Sequence, residues 1–494
     1  MCATSPSRGA PAPLPGEATG AGNEFRIAVF SCPAALNPVY AADETSQAVL
    51  NKVHRALYRF DEQGRLQGEL VESDSWDPQA NAARLRLKGG FFFANGRPLG
   101  AADVASTIRL LQDPAFSYPY RGDLDFIRAV RLLAPRDIMI LFRGPFAPWK
   151  SYLTFKVLCQ AEIGAMSAAA FQRLIPCGAG PFRIERIEEP DAILLTPNPQ
   201  ARPSLRRSLR YVVLRDPRAA PLKLLAGEID AAELQPEDAR AYADIPSWRD
   251  RFRLLKYNKF GYTYLAFRMR DARLDAALRR RIAARLLGGD FLERFLQGSG
   301  ERVNSPFPLL TVAERAAAAQ NGLATKAGGP RSGSLILRIL TNSESRLRRN
   351  LALFIQAELA PLGIALEPEF LEYQGFLKRL RQGDFDLALS AYLLDIDNNL
   401  SDVLGSRGPA NYAGYARREM DRLLEAGLAE MNEGARREIY LRAHRLWADD
   451  LPLLPLFSLN YYVAVARGVS PPADLFRFVG STGDFFYDIG RWLE

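Results

Sequence analysis

GDFDLALSAYLLDIDNNLSDVLGSRGPANYAGY, Gly383 to Tyr415, is the stretch on which the fold turns. Phe385, Leu387 and Leu389 alternate with Asp386, Ala388 and Ser390, the period-two pattern of a pleated strand. Acidic residues collect just past it, at Asp395 and Asp397, with Tyr392 beside them. A loop rich in Gly, Asn and Ser follows, carrying Arg407. A carboxylate next to an aromatic ring at a strand end can clamp an ammonium group by charge-assisted hydrogen bonds and ring packing. The alternative is a pair of solvated loop acids, and Asp397 reads as a rim acid.

Upstream of this stretch, Leu335 to Leu340 reads as a strand and Arg346 to Leu359 as an amphipathic helix ended by Pro361 and Gly363. Ile364 to Phe370 reads as the next strand, and the β–α–β order predicts a parallel α/β lobe. Residues 320–334 form a polar linker. Downstream, Arg417 to Leu428 and Arg436 to Asp449 read as helices, and Tyr461 to Ala466 returns a strand. Tyr262 to Phe267 reads as a half-buried strand. Leu274 to Leu287 follows as a helix with Leu278, Ile282 and Leu286 on one face and Arg279-Arg280-Arg281 on a solvated one.

Toward the N-terminus, Phe25 to Phe30 reads as the first strand. Ser46 to Tyr58 reads as a helix with Val49, Leu50, Val53 and Leu57 on one face. In RLRLKGGFFFANGRPLGAADVASTIRLLQDP, residues 84–114, Leu85 and Leu87 alternate with Arg84 and Arg86. Gly89-Gly90 and Asn95-Gly96 punctuate two short strands. Asp103 lies in the first turn of the next helix, where a negative charge suits the helix dipole. Ile138 to Phe142 reads as a strand, and Ser167 as the N-cap of a helix reaching Leu174. Gly178-Ala179-Gly180-Pro181 is no phosphate loop, because Pro181 removes a backbone donor and no GxxxxGK[ST] follows.

The 494 residues suffice for roughly two to four domains. Lys and Arg number 64 against 56 Asp and Glu, a net charge of +8. No nucleic-acid motif accompanies that charge, so nucleic acid is not an expected partner. Two His, at 54 and 444, and four Cys, at 2, 32, 159 and 177, show no CxxC or HExxH spacing. No metal or other cofactor is therefore expected. Cys159 and Cys177 read either as a disulfide or as two buried thiols. No apolar run reaches transmembrane length. Residues 1–24, rich in Pro and Gly, read as a flexible tether. Cys2, directly behind Met1, reads as a lipid-attachment site that anchors the chain without a spanning helix.

Taken in order, these segments resemble the solute-binding proteins of peptide and nickel ABC transporters, the extracellular solute-binding protein family 5. The resemblance rests on Tyr392-Leu393-Leu394-Asp395 after the GDFD strand, and on Leu36-Asn37-Pro38 and Leu57 to Asp61. It rests further on residues 84–114, Gly178 to Phe182 and Pro221 to Asp230. Tyr392 stands where the family usually has Trp, Asp397-Asn398 where it often has Asp-Pro, and Arg268 where it usually has Asn.

The resemblance implies an α/β, two-lobed periplasmic-binding-protein fold with an extra inserted subdomain and a ligand cleft between the lobes. Lobe I would comprise residues 25–57, 178–263 and 464–494, the insert 58–177, and lobe II 264–463. The implied function is extracytoplasmic capture of a peptide or peptide-like solute for an ABC importer, by a monomer, with permease subunits in the membrane as partners. A nickel or metal-chelate binder of the same fold is the alternative, and an enzyme is less expected. Asp395 would neutralise the ligand's α-ammonium group, with Tyr392 and Leu394 beside it. Backbone groups around Cys32 to Ala34 and Tyr461 would pair with an extended peptide. Arg268, Arg346 and Arg407 are the candidates for the ligand's carboxylate. Arg268 would lie near a hinge.

Overall fold

The computed structural model of the protein describes residues 23–61, 65–164, 166–259, 261–307, 335–393, 397–469, 471, 478–479 and 484–493. The chain opens with strand β1 (Glu24–Val29) and helix α1 (Glu44–Val53). Asp43 caps α1 by accepting the Ser46 N–H at 2.9 Å. The helix buries Val49, Leu50 and Val53. It stops short of the expected Tyr58, because Ala56 leaves the helix to bridge Lys156 and Tyr58 already begins β2 (Tyr58–Phe60).

The inserted subdomain follows. A short pair, β2 and β3 (Leu66–Gly68), leads into β4 (Val71–Asp77), β5 (Ala82–Leu87), β6 (Ile127–Ala134) and β7 (Asp137–Phe142). The last four form their own sheet in the order β4-β5-β7-β6. In β5 the alternation holds: Leu85 and Leu87 enter the core and Arg84 and Arg86 stay outside. Asp103, in the first turn of α2 (Ala101–Gln112), accepts the Gly100 N–H at 2.9 Å and the Gln160 N–H at 2.8 Å. It thus pins a distant segment as well as the helix start. The aromatic run Phe91 to Phe93 forms only an isolated bridge, Phe92 to Pro98, rather than a strand. Ser167 caps α3 (Ala168–Gln172).

The chain returns to lobe I through Gly178 and Gly180, which pass against the end of α1. A Cβ at Gly178 would lie 1.8 Å from the Val53 carbonyl oxygen, so no larger residue fits. Lobe I then adds β8 (Phe182–Glu188), β9 (Ala192–Pro197), β10 (Ser208–Val213), β11 (Ala231–Leu234) and β12 (Phe252–Lys259). β1 lies between β10 and β11 and runs parallel to both.

Lobe II holds β13 (Gly261–Phe267), α4 (Ala276–Leu287), β14 (Gly300–Arg302), β15 (Leu335–Asn342), α5 (Arg346–Leu359), β16 (Ile364–Leu371) and β17 (Leu387–Leu393). Helices α6 (Arg418–Ala429) and α7 (Glu433–Asp450) complete it, and the long strand β18 (Leu453–Ala466) runs from it into lobe I. β15 pairs parallel with β16 and β17, as the β–α–β order predicts.

Three expectations change here. β13 is sandwiched between β17 and β18, so Tyr262 to Phe267 are buried throughout rather than half-buried. β17 is equally central: Leu387, Ala388 and Leu389 are all buried, and buried Asp386 pairs with Arg273 at 2.6 Å. Arg279 leaves the expected solvated face of α4, and its guanidinium reaches the Asp450 carbonyl at 2.7 Å. The unpaired carbonyls at the end of α7 attract a cation.

Two passages of chain join the lobes. β12 runs into β13, and β18 pairs with β13 up to Phe457, then with β12 from Asn460 and β11 from Tyr462. The registers turn the carboxyl ends of β1, β10, β11 and β12 toward these crossings from one side, and those of β15, β16 and β17 from the other. Ligand sites in open α/β sheets form outside such carboxyl ends.

Candidate functional site between the lobes

On the lobe I side the strand ends gather Glu233, Tyr257, Lys259 and Tyr461, with Glu44 added from the first turn of α1. Lys259 Nζ stands 2.6 Å from Glu44 Oε1, 4.0 Å from Glu233 Oε2 and 4.5 Å from the centre of the Tyr461 ring. The Tyr257 hydroxyl donates to Glu233. Burial raises the Glu233 pKa. Burial alone would lower that of Lys259, but Glu233 and Glu44 outweigh it and hold the ammonium charged. Glu44 keeps 75% of its side chain exposed, so its half of the pair faces solvent.

On the lobe II side, Tyr262 and Tyr264 are buried members of the apolar core, with the partly buried Tyr392 packed against it. Tyr262 lies opposite Tyr392 and Tyr264 opposite Ser390 across the β13–β17 ladder. The Tyr262 and Tyr264 rings meet edge to face at 6.1 Å. The buried Tyr262 hydroxyl finds no hydrogen-bond partner among the described residues. Arg348, in the first turn of α5, donates to Asn342 Oδ1 from Nε at 2.9 Å and from Nη2 at 2.6 Å. Among the described residues no carboxylate reaches ion-pair distance of Arg348, and burial lowers its pKa. A half-buried guanidinium satisfied only by a neutral amide is a ready anion site.

The predicted residues are distributed as follows. Tyr392 sits on the lobe II side and Tyr461 on the lobe I side. Cys32 is exposed beyond β1, its thiol 3.3 Å from the Pro190 carbonyl. Ala34 follows, but its N–H already donates to Asp43 at 3.1 Å and so is not open to a ligand strand. Arg268 lies at the end of β13 remote from the crossings, where its guanidinium donates to the Gly383 carbonyl; it is not at a hinge. Arg346 and Arg407 are exposed. Cys2, Leu394 and Asp395 lie outside the described residues, as does the linker 320–334. Asp397 is no rim acid: it is 7% exposed and bound to Arg436. Cys159 and Cys177 are free thiols.

Sequence reading missed Arg348, Lys259, Glu233 and Glu44. For Arg348 the signal was the run SRLRRN, in which only the helix phase distinguishes one Arg from another. Lys259 and Glu233 needed the strand pairing, which local pattern does not contain.

Two lobes joined by two crossing passages, with an insert on the first, define a binding protein that holds its solute between them. The chain belongs to the bacterial extracellular solute-binding proteins, family 5, whose model matches residues 65–413. It is 26% identical over 473 residues to the "Probable D,D-dipeptide-binding periplasmic protein DdpA" of Escherichia coli strain K12, covering 88% of this chain and 89% of that one. It is 22% identical to the oligopeptide-binding protein AppA of Bacillus subtilis strain 168, covering 92% and 91%. The AppA structure with a bound nonapeptide superposes with a TM-score of 0.72 at 18% identity, covering 95% of this chain and 98% of that one. The ABC transporter substrate-binding protein CtaP of Listeria monocytogenes gives a TM-score of 0.80 at 19% identity, covering 94% and 97%. The structural likenesses speak to the fold. No helix among the described residues is long and apolar enough to cross a membrane.

Proposed function

We propose that the protein captures peptides or peptide-like solutes outside the cytoplasm and hands them to the permease subunits of an ABC importer, by binding without chemistry. The observation that carries this reading is Arg348, a half-buried guanidinium held by Asn342 with no carboxylate partner among the described residues. In sequence, Asp395 follows Tyr392 by three residues. A free peptide has one carboxylate and one ammonium group. Arg348 suits the first and Asp395 the second. DdpA and AppA, whose names give dipeptide and oligopeptide binding, support the same solute class.

Native mass spectrometry of the purified protein, followed by calorimetric titration with di- to nonapeptides, tests the reading. Co-purifying peptide, or at least one peptide bound at micromolar affinity or better, is the expected result. A protein that binds none of them but retains a non-peptide solute would overturn it.

A further inference from the structure

The inserted subdomain touches lobe II at a point that owes nothing to the crossing strands. The Ala147 N–H, in the loop after β7, donates to the Leu428 carbonyl at 2.7 Å. Leu428 lies in the last turn of α6, where carbonyls have no partner within their own helix. Its half-buried side chain also packs on the apolar cluster of the inserted subdomain. Phe146, next to Ala147, stacks on Phe126 at 3.9 Å, so the loop that donates is stiff.

The end of α6 is tied in turn to the loop that follows β17. Arg436, on α7, donates from Nε to the Gly427 carbonyl at 2.7 Å. Its Nη2 lies 2.7 and 2.8 Å from the two oxygens of Asp397 and 3.2 Å from the Tyr440 hydroxyl. Gly427 is required there, since a Cβ would lie 2.6 Å from the Tyr440 ring. One part-buried guanidinium therefore holds both Asp397 and the residue before Leu428.

We infer that Ala147 and Leu428 form a clasp between the inserted subdomain and lobe II, and that Arg436 is a positioning residue coupling this clasp to the Asp397 loop beside the cleft. Among the described residues the contact consists of one hydrogen bond and one apolar side chain, so it is strong enough to bias a hinge and weak enough to open. Lobe I itself meets lobe II on another side, where Arg240 donates to the Gln297 carbonyl at 2.8 Å and Lys256 pairs with Glu301 at 2.7 Å. The clasp does not depend on which solute binds; only the ligand arm of the test rests on the peptide reading.

Amide hydrogen exchange of the full-length, unliganded protein reads the clasp directly. Leu428→Asp should accelerate exchange of residues 144–153 about fivefold or more, the equivalent of one net hydrogen bond, with β5 and β7 unchanged. Leu428→Ala, a milder change, should move the same segment less. Arg436→Gln should also accelerate 144–153, although the contacts described for Arg436 are all within lobe II. Parent-like exchange of 144–153 in both Leu428 variants overturns the clasp. Acceleration in the Leu428 variants but not in Arg436→Gln overturns the coupling, and equal acceleration of β5 and β7 shows global loosening and overturns both. In the ligand arm, trialanine should slow exchange of 144–153 in the parent and not in Arg436→Gln. Trialanine bound by the parent without that slowing overturns the coupling. If calorimetry shows that the parent binds no peptide at all, the peptide reading fails while the unliganded comparison still decides the clasp.

Discussion

Arg436 holds Asp397 with one nitrogen, Nη2, set 2.7 and 2.8 Å from its two carboxylate oxygens. Asp397 also accepts the Asn399 N–H at 2.8 Å. The pair is screened from water, with 17% of the Arg436 and 8% of the Asp397 side chain exposed. Removing one partner leaves the other charge buried and uncompensated, a loss of about 3 kcal/mol or more. Asp397→Asn should therefore lower the urea midpoint by that equivalent. A change under about 1 kcal/mol, the range of a surface pair, would return Asp397 to the role of a rim acid.

Asp397 also marks where the sequence ceased to be readable. The order of strands and helices around it was legible because hydrophobic period and Gly or Pro punctuation are local. Its burial depends on Arg436, 39 positions away, which local pattern does not connect to it. The same holds for Arg279, whose guanidinium donates to the Asp450 carbonyl that closes α7 and to the Leu274 carbonyl. In β17 alternation suggested one solvated face, yet pairing on both sides made the strand central. Tyr392 was picked out by the acids that follow it in the chain, and Tyr461 only by the family resemblance. Arg348 and Lys259 emerge only once the carboxyl ends of the strands are brought together.

Arg348 should matter to anionic ligand groups and little to folding. Its hydrogen bonds go to Asn342, a neutral partner, so Arg348→Gln leaves no buried charge behind. Loss of a charge-assisted contact to a ligand carboxylate should weaken peptide binding by about 1.5–3 kcal/mol. A C-terminally amidated peptide should bind the parent more weakly than the free acid and bind Arg348→Gln about equally to it. Calorimetry with the two peptides measures this, and an unchanged free-acid affinity in the variant would remove Arg348 from the site.

Lys156 should impose a pH-dependent penalty. Its ammonium stands 5.6 Å from the Tyr487 ring, which Lys52 and Arg59 also approach, at 5.9 and 5.3 Å. Burial, reinforced by Lys52 and Arg55 and opposed by Glu69 and Asp484, lowers its pKa to about 8. The unfolded chain holds that proton up to about pH 10.4, so the folded state binds it less tightly. The charged form therefore costs stability below pH 8, and the cost fades as pH rises toward 10. Lys156→Met should be more stable than the parent at pH 7 by about 1–3 kcal/mol, with the gap closing by pH 10. Denaturant melts at both pH values measure it; a gap that widens toward pH 10 has the wrong sign.

The proposed role of Asp395, holding the solute's amino terminus, has its own test. Asp395 follows Tyr392 by three residues in the chain. An ammonium group buried without its carboxylate is left with an uncompensated desolvation cost. Asp395→Asn should thus weaken binding of a free peptide by about 2–5 kcal/mol. The discriminating ligand is the same peptide with its amino terminus acetylated, which keeps the backbone and removes the charge. Acetylation should hurt the parent severely and the Asp395 variant little, so a cycle of two proteins and two ligands isolates the pair. If the parent binds the acetylated peptide as tightly as the free one, Asp395 holds no ammonium. The cleft would then select its solute through Arg348, or through Lys259 once Glu44 releases it, and anionic compounds without an amino terminus would be the ligands to titrate next.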